Sequence, residues 1–173
     1  PGFNATGWYH AQETESPTET IKSQVMHPIR ETARYTATQC KKINDSCYVY
    51  HFPKNIAGVT ELKVKGKKGT KLRLKHGELL DKNGIVREYS IVARVPSDYH
   101  YRPTDDSDPF QTDIVILSGK QDRFMPKFNY KGFQFVEVSS SAPIQLSDEN
   151  LIAVEMHSDV PAIGYWSSSS DLL

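Results

Sequence analysis

Two runs of alternating residues joined by a glycine-flanked turn constrain this chain more than any other feature. In residues 60–65 Leu62 and Val64 alternate with Glu61, Lys63 and Lys65, and in residues 71–76 Leu72 and Leu74 alternate with Lys71, Arg73 and Lys75. A side-chain period of two turns the apolar residues to one face and the charges to the other, which is the pattern of half-buried strands. Between the runs, Gly66-Lys67-Lys68-Gly69 supplies glycines that take positive φ at no steric cost. The stretch predicts an antiparallel hairpin with Leu62, Val64, Leu72 and Leu74 turned to the core.

Further strands follow from the same reading. Residues 31–40 and 47–52, rich in Thr, Tyr and Val, flank the turn-forming run Asn44-Asp45-Ser46; residues 113–117 form a short apolar run, 128–138 carry Phe133 and Phe135, and 151–157 read as a last strand. Ile114, Ile116, Phe133 and Phe135 are expected in the core. No stretch shows helical periodicity, and Pro28 disfavours a helix through residues 21–30. The expected class is all-β, an antiparallel two-sheet sandwich spanning residues 21–160, with an extended flank at 1–20 and a connector at 161–173. Trp8 and Tyr9 in the flank either dock on the domain body or stack on a sugar, docking being the expected role.

Charge excludes some partners. Lysine plus arginine number 21 and aspartate plus glutamate 21, for a formal net charge of +0, so no basic field is available to hold a nucleic acid. No apolar run approaches the roughly 18 residues of a membrane span. The opening PGFNATGW and the closing SSSSDLL read as the ends of a piece cut from a longer protein.

Candidate sites are few. Cys40 and Cys47 stand at the two mouths of a predicted hairpin, where a disulfide forms if the register sets them opposite each other; otherwise they are two small buried hydrophobes. The six histidines are scattered, so neither a metal nor a cofactor is expected. Glu78, beside Gly77 at a strand end, reads as a loop organiser rather than a catalyst, because two-carboxylate chemistry needs a second carboxyl group at a defined spacing. Residues 95–112 form the longest irregular stretch. Tyr99, His100, Tyr101 and Asp105 within it are candidates for stacking on a sugar and binding its hydroxyls. Asp105, Asp106 and Asp108 lack the spacing of a calcium loop.

Four motifs in order carry a family resemblance. They are His51-Phe52-Pro53-Lys54-Asn55-Ile56-Ala57-Gly58, the glycine hairpin and the turn Gly77-Glu78-Leu79-Leu80-Asp81-Lys82-Asn83-Gly84 within KVKGKKGTKLRLKHGELLDKNG, and the closing strand PKFNYKGFQFVEV, which follows the run Asp113-Ile114-Val115-Ile116-Leu117 with Gly119. Together they resemble the β-sandwich domain of bacterial α-L-rhamnosidases from about Ala11 to the end, with the last ten residues similar to the connector into a catalytic domain. The resemblance implies a concanavalin-like jelly roll in which Asn55 and Gly58 organise an Asn-x-x-Gly loop. It also implies a parent enzyme outside the cytoplasm, periplasmic or extracellular, that removes terminal α-L-rhamnose with inversion. The acid and base of that reaction would lie on an α-helical toroid beyond Leu173. The chain itself is then non-catalytic, and its partner is the catalytic domain of the same parent chain. It acts either as a structural support or as a module binding rhamnose-containing glycans. His51 and Pro53 depart from the family's Asp and Gly, Gln134 departs from its Arg, and residues 89–111 are longer than their family counterpart.

Overall fold

A computed structural model describes residues 4–18, 20–87 and 111–170. Among these described residues ten strands follow in order: β1 (Ile29–Thr36), β2 (Gln39–Asn44), β3 (Cys47–Lys65), β4 (Lys71–Gly77), β5 (Leu79–Leu80), β6 (Val86–Arg87), β7 (Thr112–Ile116), β8 (Gln121–Phe124), β9 (Lys131–Ser140) and β10 (Leu151–Ser158), with one 3₁₀ turn at Asp148–Asn150. Among the described residues no helix is long and apolar enough to cross a membrane.

Eight strands form one antiparallel sheet that curls on itself, in the order β1-β10-β3-β9-β4-β7, with β2 and β8 also paired to β3. β5 and β6 make a separate two-stranded sheet. The two halves of the curl close over a single core that includes Tyr48, Tyr50, Phe52, Leu62, Leu72, Leu74, Phe133, Val136 and Leu151. This is the expected all-β, concanavalin-like sandwich.

The long strand β3 organises it. Its first part pairs with β2 and β9, its middle with β9 and β10, and its end, Leu62 to Lys65, with β8. Between the pairs His51↔Phe135 and Ile56↔Phe133 the register shifts, so four residues of β3 face one of β9. Pro53 lies in this bulge, where its missing N–H costs no ladder hydrogen bond.

The predicted hairpin is corrected. β3 and β4 are not ladder partners: β4 pairs with β7 and β9, while both edges of β3 near Leu62 are taken by β10 and β8. The connection carries the chain from one half of the curl to the other. Leu62, Val64, Leu72 and Leu74 do share the core, at 0–1 % exposure, yet they reach it from different layers. Gly69 has φ 83°, and its N–H donates to the Leu117 carbonyl at 2.8 Å. At Gly66 a Cβ would fall 2.5 Å from Leu117 Cδ1, so the turn depends on a close approach as well as on conformational freedom.

Three core assignments also change. Ile114 and Ile116 are 51 % and 69 % exposed, because Asp113 and Val115 take the inward face of β7, Leu117 just past its end turns inward too, and β7 ends the sheet. A one-residue error of phase turns every side chain over. Phe135 is only half-buried: opposite the bulge the inward set of β9 passes from Phe133 to Val136 and Val138, and Phe135 stacks on His51 instead, with ring centroids 4.7 Å apart.

The Cys40–Cys47 bridge is corrected too. Both thiols are free. Cys40 faces Tyr50 across the β2–β3 ladder, whereas Cys47 faces Asn44. Tyr50 points into the core, and Cys47, three residues away, points out the other side, so the two sulfurs lie on opposite faces of the sheet. Burial raises the ionisation point of both thiols. Alkylation of the unfolded, unreduced chain is therefore expected to label both cysteines, and reductant to leave the melting temperature unchanged. A peptide linking residues 40 and 47 by a disulfide in mass spectrometry would refute this.

The described residues of the flank, 4–18 and 20–28, are exposed and precede the first strand. Trp8 and Tyr9, expected to dock, are 72 % and 97 % exposed.

Candidate functional site

Two core stripes end in polar residues. Thr60 continues the phase of Leu62 and Val64, and His76 continues that of Leu72 and Leu74, so alternation carries both side chains inward. They meet at 3.1 Å, Thr60 Oγ1 to His76 Nε2. His76 Nδ1 stands 3.1 Å from the Gln111 carbonyl oxygen, and that oxygen also accepts the His76 backbone N–H at 2.9 Å. A carbonyl can only accept, so Nδ1 carries the proton and Nε2 accepts from the Thr60 hydroxyl. The ring is fully buried and packs edge-on against Phe133, with centroids 5.0 Å apart. Burial first, with the charge of Lys131 adding to it, pushes its pKa down to about 4. The imidazole is neutral in the fold.

Around this ring sits a buried ion pair. Lys131 Nζ donates to Asp113 Oδ1 at 2.8 Å, with both side chains at least nine-tenths buried. Asp113 Oδ2 lies 4.0 Å from His76 Nε2 and has no hydrogen-bond partner among the described residues. That follows from the tautomer: two acceptors face each other with no proton between them. Gln111 closes the cluster by donating from Nε2 to the Gly132 carbonyl at 2.7 Å. It holds φ at 53°, the one non-glycine residue with positive φ among those described, a conformation kept when surrounding bonds over-determine it. The carboxylate and the ammonium balance, so the cluster functions as a neutral polar plug at the meeting of β3, β4, β7 and β9.

Above the plug, the loop from β8 to β9 leaves a cleft of about 550 Å³ lined by Asp113, Phe124, Met125, Pro126, Lys127, Phe128 and Asn129. A second groove of about 300 Å³ on the other side of Phe128 reaches Ile29, Val59, Tyr130 and Met156. Phe128 itself is fully exposed.

The expected sugar contacts Tyr99, His100, Tyr101 and Asp105 lie outside the described residues. Asn55 and Gly58 are not in a loop but inside β3, because the bulge accommodates the extra residues without ending the strand. Asn55 Nδ2 donates to Glu78 Oε1 at 3.1 Å, tying the bulge to the β4–β5 junction. His51 and Gln134, both departures from the family pattern, are neighbours: Gln134 Nε2 stands 3.3 Å from His51 Nε2 and donates to the Phe52 carbonyl at 3.3 Å. Among the described residues no three His, Cys, Asp or Glu side chains converge as a metal site would require. Sequence reasoning missed Lys131, Asp113 and His76. The available signal was one of phase, a histidine and a threonine occupying core positions of strands already identified.

The family described as bacterial alpha-L-rhamnosidase concanavalin-like domain matches residues 41–157. An alpha-L-rhamnosidase of Streptomyces avermitilis is 25 % identical over 163 residues, 93 % of this chain and 14 % of its own length. One from Alteromonas sp. is 23 % identical over 175 residues, all of this chain and 17 % of its own. Among solved structures, the alpha-L-rhamnosidase from Dictyoglumus thermophilum superposes with a TM-score of 0.75 at 25 % identity, covering 92 % of this chain and 16 % of that one. The Aspergillus terreus enzyme gives 0.74 at 27 %, covering 99 % and 18 %. The chain thus spans 14 % to 17 % of the length of these curated relatives. With one family description covering well over half of its residues, the chain belongs to the bacterial alpha-L-rhamnosidase concanavalin-like domain family.

Proposed function

We propose that this chain is a non-catalytic sandwich domain of an α-L-rhamnosidase-like glycoside hydrolase that acts with inversion, and that it supports the catalytic domain of the same parent chain. The observation that carries the reading is how its buried acids are used. Glu61, 1 % exposed, lies against Arg34 at 2.6 Å, Arg123 at 2.8 Å and Lys63 at 3.2 Å, and the Arg34 hydrogen bond above all holds its pKa at about 2. Glu137 pairs with Lys75 at 3.1 Å, Glu155 accepts from Tyr35 at 2.7 Å and Lys54 at 3.1 Å, and Asp113 is held by Lys131. A carboxylate ringed by cations, as Glu61 is, is a poor proton donor near neutral pH, whereas an inverting hydrolase needs one acid kept protonated and one base beside a water. These acids hold strands together.

The purified 173-residue chain is accordingly expected not to hydrolyse an aryl α-L-rhamnoside that the full parent cleaves, and titration of L-rhamnose into it is expected to give no saturable heat. Hydrolysis by the chain, abolished in Glu78→Gln, would overturn the reading. Saturable binding of the sugar would favour a carbohydrate-binding module.

A further inference from the structure

We infer that the apolar face formed by Ile29, Met125, Phe128, Tyr130 and Met156 is the surface on which this sandwich seats against the remainder of its parent chain. The inference rests on the proposed supporting role and gives that role an address. Soluble domains scatter exposed apolar residues singly, but contiguous patches mark contacts. Here Phe128 is fully exposed, Tyr130 is 53 %, Ile29 47 % and Met125 38 % exposed, and two grooves run along either side of Phe128, sharing the stretch from Pro126 to Asn129. Large aromatic and methionine side chains standing over grooves are the composition of an interface centre rather than of a solvated rim.

The occupant follows from where the chain enters and leaves. Ile29 opens β1 and Met156 lies near the end of β10, paired with Glu31, so both flanks depart from this patch. Their exit is pinned by the Asp159 N–H donating to the Pro28 carbonyl at 3.0 Å and by the Arg30–Asp159 ion pair at 3.0 Å. Both departing segments carry more bare apolar surface, Ile21 at 97 % and Val25 at 95 % on one side, Ile163 at 96 % and Tyr165 at 98 % on the other. Relatives are about six to seven times longer than this chain, which covers 14 % to 17 % of them. A body of that size tethered at the edge of the patch is at high effective concentration over it.

The test uses the full-length parent. Hydroxyl-radical footprinting is expected to show Phe128 and Met125 oxidised several-fold more slowly than their exposure here implies. Phe128→Asp, at a fully exposed side chain, should restore the rate at Met125 and lower the parent's unfolding temperature. Ile116→Asp makes the same change at a 69 % exposed residue on the opposite edge strand, and should alter neither. Free oxidation of Phe128 in the parent, or equal effects of the two variants, overturns the assignment. So does shielding that vanishes on dilution, the mark of a second copy, or shielding that needs added L-rhamnose. Deleting residues 1–173 from the parent tests the supporting role separately: a deletion that unfolds the parent while Phe128→Asp is silent refutes only the location, and a deletion without effect refutes the role.

Discussion

Lys131→Met is expected to destabilise the fold by about 3–5 kcal/mol near neutral pH, the range for breaking a buried ion pair from one side. The thioether fills much of the space of the lysine stem but leaves Asp113 charged, enclosed and without the ammonium 2.8 Å from its Oδ1. Oδ2 already lacks a hydrogen bond among the described residues, so none of them is placed to compensate. The double replacement Lys131→Met with Asp113→Leu should recover a large part of the loss, because it removes both charges together. Urea denaturation midpoints of the two variants decide it; a single variant as stable as the parent sequence would show that Asp113 is not held as described.

His76 supplies a pH dependence with a definite sign. Its ordinary value is 6.5 and its folded value about 4, so between those limits the unfolded chain takes up a proton that the fold refuses. Stability from this group is therefore complete above about pH 7.5 and falls as the pH drops toward 4, by about 2 kcal/mol between pH 7.5 and 5. In Lys131→Met the cation that helps depress His76 is gone while Asp113 remains 4.0 Å away. Protonation of the ring then supplies the missing positive charge, and the deficit of the variant should be smaller at pH 5 than at pH 7.5. A deficit that grows on acidification would contradict the arrangement of charges in the plug.

Alternation made the stripes Leu62/Val64 and Leu72/Leu74 legible because burial of one face leaves a direct mark on sequence. Partnership between strands leaves none. A Gly-x-x-Gly connection serves a ladder hairpin and a crossing between layers equally well, and which of them forms is decided by β10 and β8, encoded more than 50 residues downstream of β3. The phase of β7 was ambiguous for a related reason: Asp113-Ile114-Val115-Ile116-Leu117 is apolar on both faces apart from its first residue, and the inward position of that aspartate depends on Lys131, which is distant in sequence. The bulge at residues 52–55 hid the change of phase in β9 that sends Phe135 outward. Local pattern thus recorded burial, while long-range pairing recorded the rest.

Gly58→Ala is expected to cost about 3 kcal/mol or more, a large effect for the addition of one methyl group. Gly58 is paired on both sides, with Glu155 of β10 and with Lys131 of β9, and its Cα faces the backbone of β10 directly. A Cβ there would overlap the Val154 carbonyl oxygen and stand 3.1 Å from Glu155 Cα. Backbone atoms cannot rotate away as a side-chain tip can, so β10 would have to separate from β3, weakening the ladder that also carries β1. That shift would act on the plug as well, since Lys131 is the partner of Gly58 on the other side. Gly132→Ala offers a graded comparison, because among the described residues its Cβ would meet only Glu78 Oε1 at 3.4 Å, the end of a side chain able to yield. Gly164→Ala meets none of the described residues within 4 Å and serves as the neutral reference. Denaturation midpoints should fall in the order Gly164→Ala, Gly132→Ala, Gly58→Ala from most to least stable. If Gly58→Ala unfolds with the other two, the close approach of β3 and β10 is not what fixes glycine at this position.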